Sequence, residues 1–185
     1  VSIGHSNATA YQVAEALAAG ARNFTHLFNA MSPMEGRAPG VVGAAILSTA
    51  DVGIICDGIH VSDEMVQLAI RAHEAGRMHL VSDAMPTVGG PDRFTLYGSE
   101  VHLQNGALVN AQGSLAGAHV TMAQSVLRLT GPIGLPLEVA LAMAITNPAR
   151  VIGANVAVTG SSPCDLLIWP PSAGLPSNIE DVLQA

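Results

Sequence analysis

Four apolar runs in the first half of the chain end in side chains able to ligate a metal or carry a proton. They are VSIGH at His5, NFTHLF at His26, DVGIIC followed by Asp57 and His60, and HLVS followed by Asp83. Two neutral imidazoles suit a divalent transition metal such as zinc, whose catalytic sites hold three protein ligands and one position for water. A carboxylate at a neighbouring strand end can take a proton from such a water and later return it to a leaving group. His5 and His26 are therefore candidate metal ligands, and Asp83 is the candidate acid–base. Each also has a plainer reading, as a hydrogen-bonded structural histidine or as an aspartate capping a loop. Recurrence at four successive run ends favours a site. Arg37 lies in a Gly- and Pro-containing loop after His26, in a chain with only 7 basic residues. Its planar fork suits phosphate or carboxylate, with a surface salt bridge as the other reading. His60 can serve the same anion. His73, His79 and His102 fall inside element bodies and His119 at a helix edge, where structural roles suffice.

The elements that must hold these residues alternate. Val1–His5 reads as a strand end, Thr9–Ala19 as a helix capped by Ser6 or Asn7 and stopped by Gly20, and Asn23–Phe28 as the next strand. Asn29–Gly40 is a long loop, Gly40–Ser48 a short buried helix, and Asp51–Cys56 a third strand. A helix capped by Ser62 or Asp63 runs to about Glu74, and Met78–Ser82 is the fourth strand. Strands and helices alternating at this interval predict βα units in a parallel sheet, whose strand C-termini and following loops form the active face of α/β barrels. The rhythm then breaks. Phe94–Val109 alternates with period two around Asn105–Gly106 and predicts an antiparallel hairpin. Gly113–Gly117, GSLAG, reads as a flexible loop. Helices are expected at Val120–Leu129, Leu137–Ile145 and Pro148–Ile152, and a late strand at Asp165–Trp169.

The totals narrow the class of protein. With 185 residues, 49% hydrophobic and only 11% charged, the chain has the composition of a buried parallel sheet and not of a disordered segment. A net charge of -7 without any basic block argues against a nucleic-acid partner. No apolar run reaches the roughly 18 residues of a membrane span. Cys56 and Cys164 lie far apart and follow no metal spacing, so two reduced thiols in a cytoplasmic protein are expected. The chain opens in a strand-like run without a methionine, and is expected to be a piece of a larger domain.

The segments GHSNAT, THLFNAM followed by GRAPG, DGIHV, LVSDAM, GSLAG and TNPAR resemble, in this order, the N-acetylglucosamine-6-phosphate deacetylases of the amidohydrolase superfamily. The resemblance covers nearly the whole chain, and THLFNAM with DGIHV is its most specific part. It implies an α/β fold in which residues 1–155 form the C-terminal half of a (β/α)8 TIM-type barrel, about strands 5–8. The hairpin and residues 156–185 would lead toward a small β-sandwich. It implies a divalent metal, zinc first with iron, manganese or cobalt as the other choices, on His5 and His26. Asp83 would be the catalytic acid/base. Substrate would be contacted by Asn29, Ala30, Arg37, Asp57, Gly58, Ile59, His60, Leu115, Ala116 and Gly117, with Arg37 and His60 near a phosphate. Family members place a glutamate metal ligand and a substrate-contacting histidine in the preceding half of the barrel. Homodimers are expected. The expected reaction is hydrolysis of the acetamide of a phosphorylated amino sugar in amino sugar catabolism. Two alternatives stand beside it: another amide hydrolase of the superfamily, or a catalytically incomplete part that needs its other half.

Overall fold

In the computed structural model the described residues are 1–74, 76–154 and 156. Strands β1 (Ser2–Ile3), β2 (Asn23–Phe24), β3 (Asp51–Ile54) and β4 (Met78–Leu80) form one parallel sheet in the order β1-β2-β3-β4. Ser2 pairs with Asn23, Asn23 with Asp51, and Val52 with Met78, so the four strands begin nearly level and end on one side. Sequential parallel order requires a crossover after each strand. Helices α1 (Ala10–Ala18), α2 (Gly40–Leu47) and α3 (Asp63–Ala72) supply them.

Two of the three crossover helices begin for a local reason. The cap of α1 is Thr9 and not the expected Ser6 or Asn7: Thr9 accepts from the Gln12 backbone N–H while the Gln12 side chain reaches back to Thr9, a full capping box. Ser62 caps α3, whose first turn carries Asp63 and Glu64 against the positive end of the helix. Helix α2, GVVGAAIL, has no polar face and is buried along most of its length. Its start is held from a distance: the Ser32 hydroxyl accepts from the Val41 N–H at 2.8 Å and donates to the Ala8 carbonyl at 2.6 Å. The main core lies between the sheet and these helices, where Phe24, Leu27, Val41, Val52, Ile54, Val66 and Leu80 are almost wholly buried. A smaller cluster of Ile55, Ala118 and Val120, with Val81 against it, occupies the opposite face.

Regular pairing is shorter than the apolar runs. The run after Asn23 was expected to stay extended to Phe28, but His26 has φ 34° and Phe28 φ 77°, and the strand ends at Phe24. The ladder nevertheless continues, with Leu27 N–H donating to Gly53 at 2.8 Å and Val81 N–H to Ile54 at 3.0 Å. The expected hairpin is half of a larger unit. β5 (Arg93–Leu96), β6 (Ser99–Gln104), β7 (Ala107–Asn110) and β8 (Leu115–Ala118) form a four-stranded antiparallel meander. Two of its turns, Tyr97–Gly98 and Asn105–Gly106, have both central residues at positive φ, the two-residue geometry that matches strand twist. Asn105–Gly106 announces this in the sequence; Tyr97–Gly98 does not. GSLAG, expected to be a flexible loop, contributes β8.

After α4 (Met122–Thr130), α5 (Leu137–Leu141), a π-helical turn (Ala142–Thr146) and α6 (Asn147–Val151) run without interruption, where two separate helices were expected. Pro148 has no N–H to offer four residues back, and the wider turn, with Asn147 N–H reaching Ala142 O, absorbs the mismatch. The buried Asn147 side chain donates to the Met78 carbonyl at 2.7 Å and ties this rod to β4. The strand expected at Asp165–Trp169 lies outside the described residues, as does Cys164.

Candidate active site

The sequence-derived metal-ligand and acid–base candidates stand at the C-terminal ends of the parallel strands, and all three share an unusual backbone. His5, His26 and Asp83 have φ of 45°, 34° and 50°. Non-glycine residues rarely adopt this region, and the strain it stores concentrates at functional positions. The conformation breaks the in–out alternation of a strand at the point where each run ends.

The rings of His5 and His26 meet edge to face with centroids 4.8 Å apart and planes at 71°. His26 is 7% exposed, and its Nδ1 is buried with no hydrogen-bond partner. Its Cε1 lies 3.4 Å from where a Cβ on Gly4 would stand, and Thr25 would meet that Cβ at 2.5 Å. Glycine at position 4 therefore makes room for the Thr25 side chain, with the His26 ring in ordinary contact beside it. A buried ring nitrogen without a partner, beside a second imidazole, suits two positions in the shell of a divalent ion. Among the described residues no group of three or more His, Cys, Asp or Glu side chains is assembled for a metal. A cleft of about 320 Å³ opens at this pair, lined by His5, Ser6, Asn7, Ala30 and Met31. Ser6 N–H donates to the Ala30 carbonyl at 2.9 Å, and Ser32 N–H to Ser6 at 3.0 Å, which binds the loop after β2 to the end of β1. Asn29 turns its amide to the Leu27 carbonyl. Arg37 is exposed and lines an adjoining cleft of about 420 Å³ with Asn7, Thr9, Tyr11, Ser32 and Glu35. Asn7 belongs to both clefts; Arg37 and the imidazoles do not share one.

After β3, Asp57 is a hub. One carboxylate oxygen accepts the backbone N–H groups of Ile59 and His60, both at 2.8 Å, and the other lies 2.6 Å from His60 Nδ1. Burial pushes the Asp57 carboxyl up, but the hydrogen bonds from the His60 ring and the two N–H groups outweigh it and hold it below its ordinary value. Gly58 (φ 74°) completes the turn. Beneath it, burial, with Asp63 and Asp57 nearby, pushes the Cys56 thiol up to about 12 against the opposing pull of Arg128, so this cysteine is an inert reduced thiol.

After β4, Asp83 is exposed, and its loop is pinned to β8. Ala118 N–H donates to the Asp83 carbonyl at 2.8 Å, Met85 N–H to Ala118 at 3.0 Å, and His119 Nδ1 lies 2.9 Å from the hydroxyl of buried Thr87. Gly117 (φ 75°) faces Met85, whose Cγ would lie 2.5 Å from a Cβ there. The supporting residues Thr87, Ser32 and Arg128 escaped the sequence reading, and His119 was expected to be structural only. Each acts through a contact between distant segments, for which the chain carries no local signal. His73 and His79 are buried, as structural roles require; His73 places its two ring nitrogens 3.0 and 3.1 Å from the Ile46 and Ala50 carbonyls. His102 is paired with Glu100 on the surface. Asp51, Arg77, Glu74 and Arg150 form the ion pairs at the opposite end of the sheet.

The C-terminal edge of a parallel sheet with crossover helices thus carries an imidazole pair and carboxylates. No family model matches the chain. It is 39% identical over 158 residues to an N-acetylglucosamine-6-phosphate deacetylase of Haemophilus influenzae, which covers 83% of this chain and 41% of that protein. It is 40% identical over 154 residues to an N-acetylgalactosamine-6-phosphate deacetylase of a Shewanella species, covering 82% of this chain and 39% of that protein. Among solved structures it is similar to N-acetylglucosamine-6-phosphate deacetylase from Pasteurella multocida, with TM-score 0.80 and 40% identity over 83% of this chain and 41% of the other. It is also similar to an aspartate-to-alanine mutant of the Mycobacterium smegmatis enzyme in complex with N-acetyl-D-glucosamine-6-phosphate, with TM-score 0.82 and 32% identity over 88% and 45% of the two chains. By sequence and by fold alike, the chain is similar to the N-acetylglucosamine-6-phosphate deacetylases. It spans about two fifths of the length of the relatives it matches.

Proposed function

We propose that the chain is part of a metal-dependent deacetylase that cleaves the acetamide of N-acetylglucosamine 6-phosphate, giving acetate and glucosamine 6-phosphate. The observation that carries this reading is the edge-to-face pair of His5 and His26 at adjacent strand ends, in a chain about 39% identical to deacetylases of that name. The four parallel strands correspond to about strands 5–8 of a (β/α)8 barrel. The activity belongs to the completed barrel, in which a third donor joins the two imidazoles.

His5 and His26 would hold a divalent ion, zinc first, with iron, manganese or cobalt as alternatives, which when bound would supply an activated water and positive charge for the carbonyl oxygen. Asp83 takes the proton of the attacking water and delivers it to the amide nitrogen as the C–N bond breaks. The Ala118 hydrogen bond to its carbonyl holds its positive-φ backbone at the sheet edge, where the residue is exposed. Arg37 and His60 bind the phosphate, and Asn29, Ala30, Gly58 and Ile59 contact the sugar. Leu115, Ala116 and Gly117 line the far side. Both oxygens of Asp57 are committed within the loop, so Asp57 contributes to binding through His60. A cytoplasmic homodimer completes the proposal. No helix among the described residues is long and apolar enough to cross a membrane.

The Shewanella relative favours a second reading, in which the substrate is the 4-epimer, N-acetylgalactosamine 6-phosphate. Acetate release from both epimers and from unphosphorylated N-acetylglucosamine separates the two, and the preferred sugar phosphate identifies the substrate. Release from the unphosphorylated sugar at equal kcat/KM would rule out both. Asp83→Asn is expected to lower kcat by roughly 10²- to 10⁴-fold with substrate binding retained. Near-normal turnover in that variant would remove Asp83 from the chemistry.

A further inference from the structure

We propose that Arg128 is a positioning residue for the Asp57–His60 loop, acting through the backbone of Gly58. The inference rests on the reading above that this loop binds the phosphorylated sugar. Arg128 comes from α4, and its Nε and Nη2 donate to the two carboxylate oxygens of Asp63 at 2.6 and 3.0 Å. A two-point bond between planar groups fixes the plane of the guanidinium as well as its position. That plane lies against Gly58: a Cβ at this position would fall among Nη2, Cζ and Nε of Arg128. Gly58 is also at φ 74°, so both sterics and backbone conformation exclude a side chain there.

The next residue back is Asp57, whose carboxylate holds Ile59, His60 and the His60 ring. A displacement of Gly58 is therefore transmitted to the imidazole. The chain of contacts runs from Asp63, on the helix that follows the loop, to Arg128, 65 residues further along the sequence, and closes on the loop itself. The Arg128 and Asp63 side chains are 34% and 21% exposed, and a pair so placed adds little to stability. What it supplies is a flat, fixed surface under the loop.

The complete enzyme carrying R128K, G58A, H60A and the H60A/R128K pair tests this. Lysine keeps the charge but offers a single flexible point in place of a fork. R128K is expected to raise KM for the sugar phosphate roughly tenfold, with kcat within about threefold and the melting temperature nearly unchanged. G58A should reproduce the KM effect by pushing the guanidinium away. In the H60A background, R128K should add less than about a twofold change, since the ring it positions is gone. If H60A itself leaves KM unaltered, the loop does not bind substrate and the underlying reading fails. If H60A raises KM while R128K does not, or the two effects simply multiply, Arg128 does not act through the loop.

Discussion

The committed oxygens of Asp57 show how one carboxylate can organise a loop that it does not itself present to a ligand. Its carboxyl is held below the ordinary value near 3.8 by the His60 ring and two backbone N–H groups, although burial works the other way. A depressed pKa means that the folded state favours the charged form. The stabilisation is therefore complete above about pH 4 and is lost as pH falls through the depressed value. Asp57→Asn should remove it at neutral pH, lowering unfolding free energy by about 1.5–3 kcal/mol in denaturant titrations and raising KM along with it. A variant as stable as the parent would mean that the hydrogen bonds to Asp57 are replaced without loss.

Strand β8 illustrates what an element contributes that its residues do not reveal. LAGA has little side chain to offer, yet its Ala118 N–H and C=O groups clasp the Asp83 loop on both sides of Ala84. His119, one residue further, reaches Thr87. The positioning of Asp83 is thus a property of a sheet edge built from the meander, and Gly117 is where the loop packs most closely. Gly117→Ala puts a Cβ 2.5 Å from Met85 Cγ at a backbone φ of 75°. We expect a stability loss of about 1–3 kcal/mol and a fall in kcat exceeding any change in KM. An unchanged kcat with intact folding would show that Asp83 does not depend on this packing.

Across the molecule, the sheet face opposite the crossover helices buries one histidine among apolar side chains. His79 on β4 is 5% exposed, its Nδ1 has no partner, and its ring nitrogen lies 3.0 Å from where a Gly53 Cβ would be. Burial lowers its pKa below the ordinary 6.5, with Asp51 opposing this and Arg150 assisting. The fold therefore favours the neutral ring. Stability from this group is complete above about pH 6.5 and declines as pH falls through the lowered value, because unfolding then takes up a proton. Thermal unfolding between about pH 7 and 5 should show a decline that is shallower in His79→Gln. Equal slopes in parent and variant would assign the acid sensitivity elsewhere.

Much of this arrangement was legible in the chain. The βα rhythm, the cap at Ser62, the buried helix at Gly40 and the turn at Asn105–Gly106 are local, and local sequence determines them through periodicity, hydrogen-bonding side chains and glycine. The positions of His5, His26, Asp57 and Asp83 followed from the same rhythm, because a parallel sheet brings every strand end to one edge. Other features depend on contacts between segments far apart in sequence. The left-handed backbone at the three strand ends, the recruitment of GSLAG into β8, the continuous helix across Pro148 and the Arg128–Gly58 contact could be decided only by packing. No run of neighbouring residues encodes a collision between a guanidinium and a glycine 70 residues away. Local chemistry chose which side chains stand at the edge, and long-range packing determined how they are aimed.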